Sequence, residues 1–151
     1  MKFSADLEPE WKFPQGGAAV IDECGSLNLV GDIVWTCPYS EYPLVRIDGE
    51  SLDVWHARDR GDVDNFAAVL VSAQDEPDSV AVVAEGWSHH PGRVVVGRLG
   101  ADEVESVGAR VLRLPDGSAL PKDAQIVGRG PNLHVIHGLD WYRIELDDLT
   151  H

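Results

Sequence analysis

The chain has 151 residues, 44% of them apolar and 25% charged, which is the size and mixture of one folding unit around one core. Twelve basic residues stand against 26 acidic ones, a formal charge of −14, and a field of this sign repels nucleic-acid phosphates and anionic lipid surfaces. No stretch reaches the roughly 20 consecutive apolar residues of a membrane-spanning helix.

Taken in chain order, residues 1–16 read as an irregular N-terminal arm. Asp6, Glu8 and Glu10 interrupt any apolar region that a secretory signal would need, so the expected compartment is the cytoplasm. Cys24 and Cys37 lack the Cys-x-x-Cys spacing of a metal knuckle or redox pair and read as reduced, partly buried thiols, a hairpin disulfide being the alternative in an oxidising compartment. Trp35 to Tyr42 spell WTCPYSEY, an aromatic and acidic composition suited to a docking face, with Trp35, Tyr39, Glu41 and Tyr42 as its partner-binding residues. Leu44 to Ile47 and Ser51 to His56 flank Asp48-Gly49, which reads as a two-residue hairpin turn. The string Asp59, Asp62, Asp64, Asn65 has neither the alternating oxygen ligands nor the distal Glu of a calcium loop and reads as a solvated turn.

Ala67 to Ala73 and Val80 to Trp87 are nearly continuous in apolar residues, as strands covered on both faces are. Their β-branched content and the QDEPDS turn between them favour a pair of strands. The alternative is a helix capped by Asp62, with Val63, Phe66, Ala67 and Leu70 sharing a face. Ala101 to Val107, bracketed by Gly100 and Gly108, reads as a short helical turn. In Arg110 to Leu114, alternation sets Val111 with Arg113 against Leu112 with Leu114 before an Asp116-Gly117 turn. His137-Gly138 joins Asn132–Ile136 to Trp141–Leu146, where Tyr142, Ile144 and Leu146 oppose Trp141, Arg143 and Glu145. The predicted fold is mainly β, or α+β: an antiparallel sandwich or half-open barrel of about 8–10 short strands with one or two short helices, forming a single domain over 1–151.

Six histidines are the candidate chemical groups: His56, His89, His90, His134, His137 and His151. A zinc site needs three or four such ligands. His89 and His90 are adjacent in a loop and could converge, whereas the i, i+3 spacing of His134 and His137 points to opposite faces of a strand. Val80 to Gly92, VAVVAEGWSHHPG, is similar to the segment around the His-His-Pro motif of pterin carbinolamine dehydratases, with Val80, Ala81, Ala84, Glu85, His89, His90 and Pro91 in matching places. That resemblance implies a helix before the motif and a proton-handling role for His89 and His90. It covers about a dozen residues, and the family's further histidine and Gly-Gly-Leu stretch are absent downstream, where the chain reads GRLGADEVESVGAR.

The sequence holds no nucleophile elbow, Walker loop or dinucleotide fingerprint. The expected function is therefore a non-catalytic acidic protein-binding module of inhibitor, immunity or anti-defence type that masks a basic protein surface, with no cofactor. One alternative is a small histidine-dependent enzyme, or a zinc-dependent one drawing on His89, His90, His134 and His137. A second is a structural or assembly subunit.

Overall fold

The computed structural model describes residues 2–3, 5–6, 9–11, 24–38, 42–57, 66–71, 79–84 and 90–150. These form thirteen strands and one short helix, more strands than the sequence pattern suggested. In the N-terminal arm, β1 (Lys2–Phe3) pairs antiparallel with β2 (Pro9–Trp11). None of the described helices is long and apolar enough to cross a membrane.

Eight strands make one sheet built from two meanders. The first runs β3 (Cys24–Val30), β4 (Ile33–Pro38), β5 (Leu44–Asp48), β6 (Ser51–Ala57). The second runs β7 (Phe66–Val71), β8 (Ser79–Ala84), β9 (Arg93–Leu99), β10 (Glu103–Val111). Every pairing within a meander is antiparallel. The meanders meet through one short parallel contact, Glu103 beside His56 and Val104 beside Ala57. Around it, the His56 N–H donates to the Asp102 carbonyl at 3.0 Å and Trp55 Nε1 donates to the Gly100 carbonyl at 3.0 Å.

The Ala101 to Val107 segment is thus not a helical turn. It enters β10, where β-branched Val104 and Val107 suit an extended chain and the register against β9 slips between Ser106 and Gly108, leaving Val107 as the extra residue of a bulge. The helix is α1 (Leu146–Thr150), which ends the last strand one residue earlier than the alternation implied and buries Leu146 and Leu149.

The sheet curls until its edges β3 and β7 approach, giving a half-open barrel whose seam is closed by a side chain. Asn28 on β3 is completely buried. Its Nδ2 donates to the Val69 carbonyl on β7 at 2.7 Å and to the Gly130 carbonyl at 2.8 Å, and its Oδ1 accepts from the Gly130 N–H at 2.7 Å. Gly130 belongs to the turn between β11 (Gln125–Arg129) and β12 (Asn132–His137), which with β13 (Asp140–Glu145) form a three-stranded antiparallel sheet lying across the seam. Approach is close enough that a Cβ at Gly128 would run into the Val69 carbonyl.

Two cores result. Trp35, Cys37, Leu44, Trp55, Val69, Val71 and Val80 fill the barrel, and Trp35 stacks on Trp55 with centroids 5.7 Å apart. Ala68, Leu70, Ala81, Val83, Val94 and Val96 face the other way, against Leu133, Val135 and Leu146 of the small sheet and helix. Successive residues of β7 and β8 therefore enter different cores, which is why these two segments show no polar alternation. The hairpin they form, with Val71 opposite Val80, is the two-strand arrangement and not a helix. The helix that the dehydratase resemblance implies before His-His-Pro is accordingly a strand over Ser79–Ala84.

Candidate functional site

The histidine candidates occupy separate places. His89 lies outside the described residues, as do His151 and the Asp59 to Asn65 string. His90 is exposed at the turn into β9, its carbonyl accepting from the Arg93 N–H at 3.0 Å. His134 and His137 diverge from opposite faces of β12. His134 turns outward to Trp141, while His137 Nε2 stands 3.7 Å from an Asp123 carboxylate oxygen. Among the described residues no group of three or more His, Cys, Asp or Glu is placed to hold a metal ion.

The described residues of the WTCPYSEY segment, 35–38 and 42, are buried or half-buried. Trp35 is only 2% exposed and is committed to the barrel core, so its assignment as a surface anchor is corrected. Tyr42, half-buried with φ at 47°, lines a largely apolar cavity of about 60 Å³ inside the barrel with Cys37 and Leu44. That volume is far below the ~300–1,000 Å³ of small-molecule sites. Tyr39 and Glu41 lie outside the described residues.

Among the described residues, Leu27 and Leu29 on β3 and Val107 and Val111 on β10 are exposed apolar side chains. A further open apolar surface, the one that carries an exposed tryptophan, is the outer face of the three-stranded sheet. Antiparallel partners share a face, so the pairs Ile136 with Trp141 and His134 with Arg143 set these four side chains together, with Val127 beside His134 on β11. The opposite face carries Leu133, Val135, Tyr142 and Ile144 into the core. Trp141 is 69% exposed, Ile136 is 38% exposed, and Leu139 projects fully at the hairpin tip. The indole is nonetheless fixed: Trp141 Nε1 donates to His134 Nδ1 at 3.0 Å, and the two rings lie 5.5 Å apart at 35°. This bond requires Nδ1 to be unprotonated. A large aromatic group held in one orientation on a rigid sheet loses little entropy on docking, and Trp and Arg are the commonest anchors of protein interfaces. Asp140 and Glu145 bracket the face at the two ends of β13.

Alternation places Trp141 with Arg143 and Glu145, opposite Tyr142, Ile144 and Leu146, without saying which face is covered. What the sequence did not carry was which of five tryptophans would lack a covering layer. No family model and no curated protein matches the chain.

Proposed function

We propose that this chain is a non-catalytic, acidic binding module, cytoplasmic in setting, that masks a basic surface on a protein partner, in the manner of an inhibitor or immunity protein. It docks through the outer face of the β11–β13 sheet. The observation that carries this reading is Trp141, an exposed indole locked to His134 and flanked by Ile136, Leu139 and Arg143, on a chain of charge −14. The apolar anchor supplies affinity, and the carboxylate excess speeds encounter with a cationic partner and rejects anionic competitors.

The test is capture by immobilised chain from its native host at low ionic strength, run in parallel with Trp141→Ala. A basic protein should be retained, released by rising salt, and bound about thirtyfold more weakly by the variant, the loss of a ~2 kcal/mol hot spot. The melting temperature of the variant should be unchanged. Equal retention by both forms, or no basic protein retained at low salt, would refute the proposal.

A further inference from the structure

A second binding feature, which shares Trp141 and Arg143 with the outer face, lies along the free edge of β13. The Leu146 N–H donates to the Pro131 carbonyl at 2.7 Å, continuing the β12–β13 ladder through every second residue of β13. In an antiparallel pair the intervening residues aim their N–H and C=O away from the partner strand, so those of Trp141, Arg143 and Glu145 face outward. The Glu145 N–H is taken by the Asp148 carboxylate of α1 at 3.3 Å. The main-chain groups of Trp141 and Arg143 have no strand partner among the described residues.

Beside this edge runs a slot of about 250 Å³. One wall is the consecutive run Tyr142, Arg143, Ile144, the other is the consecutive run 112–115, and Leu120 and Val135 are also in its lining. Tyr142 to Ile144 belong to the edge strand β13, and residues 112–115 lead from the end of β10 into the Asp116-Gly117 turn, so the space lies between this edge and that segment. The lining includes Arg113 and Arg143 and no acidic residue, although acids outnumber bases 26 to 12 in the chain. An incoming carboxylate competes with the exposed bonds these arginines make, Arg143 Nη2 to Glu145 at 3.2 Å and Arg113 Nη1 to the Gly117 carbonyl at 3.1 Å. Apolar surface from Leu112, Leu114 and Ile144 completes it.

We propose that this slot accepts an extended peptide segment by strand addition, main chain bonded to Trp141 and Arg143, with an apolar side chain in the slot and a carboxylate between the two arginines. Main-chain bonds supply a sequence-independent part of such binding, and alternate side chains supply selectivity. The volume holds one or two side chains and is too small for a bulky cofactor.

The test uses the full ¹⁵N-labelled chain and two capped five-residue peptides, one alternating Glu with Leu and one alternating Lys with Leu. The Glu peptide should shift the amide signals of Trp141, Arg143 and Leu114 and slow hydrogen exchange at the first two. Arg143→Ala, and separately Arg113→Ala, should weaken it about tenfold, the loss of one charge-assisted hydrogen bond. Arg143→Pro, which removes an edge N–H without breaking the β12 ladder, should abolish the exchange protection. Equal binding of the Lys peptide, or amide shifts that avoid residues 141–143, would overturn the proposal.

Discussion

Asn28 shows how much of the architecture rests on single polar groups. Its amide satisfies two main-chain carbonyls and one N–H that belong to a strand and a turn, 41 and 102 residues away in sequence. Asn28→Ala leaves Val69 and Gly130 with buried unpaired groups, each costing ~1–3 kcal/mol, so a total loss of at least ~3 kcal/mol is expected from urea unfolding. Asn28→Asp should be no better, because the new carboxylate would face two carbonyl oxygens with no donor to offer them. Asn28 was not a sequence candidate for anything. An Asn in an alternating strand reads as a solvent-facing residue, and only the approach of β7 and the β11–β12 turn makes its position interior.

At the scale of elements, turns were legible but their centres were displaced. The hairpins at Gly31, Gly49, Gly130 and Gly138 all place glycine at the first central position, with φ between 55° and 61°. Asp48-Gly49 and His137-Gly138 suggest glycine second, whereas the pairs Asp48 with Ser51 and His137 with Asp140 put Gly49 and Gly138 first. Docking residues were less legible for a related reason. Trp35 and Trp141 sit in similar aromatic strands, and whether an outward face stays bare depends on what packs over it, which is long-range information. The Asp116-Gly117 turn did form as read, with a carboxylate bonded to its own loop. Asp116 Oδ1 accepts from the Ser118 hydroxyl at 2.7 Å and the Ser118 N–H at 2.9 Å, and these bonds hold the carboxyl below its ordinary pKa of 3.8. A depressed carboxylate adds stability that is present above its unfolded pKa and disappears as pH falls through the folded one. Ser118→Ala should therefore move the Asp116 pKa upward in an NMR pH titration, since the larger of the two contributions is lost.

At the scale of the whole molecule, the acidic charge of the described residues lies at the surface. No described Asp or Glu side chain is buried, and the carboxylate pairs with Lys or Arg among the described residues are few: Arg46 with Asp48 and Asp53, and Arg143 with Glu145. Like charges on a compact body oppose folding, and salt shortens their reach from ~30 Å at 0.01 M to ~8 Å at 0.15 M. Calorimetry across that range should show the melting temperature rising by about 2–4 °C, the effect of ~1 kcal/mol at this chain length. Stability and partner affinity should then respond to salt in opposite directions, which separates charge that serves binding from charge that serves the fold.

The closing of the barrel by Asn28 also sets an order of events. A strand early in the chain is completed by a turn more than a hundred residues later, so no nascent chain can seal its seam until residue 130 has been synthesised. Until then β3 and β7 stay open as two uncapped borders, each free to pair with a neighbour's. The interval between their emergence and the arrival of Gly130 is when this protein is most exposed to aggregation.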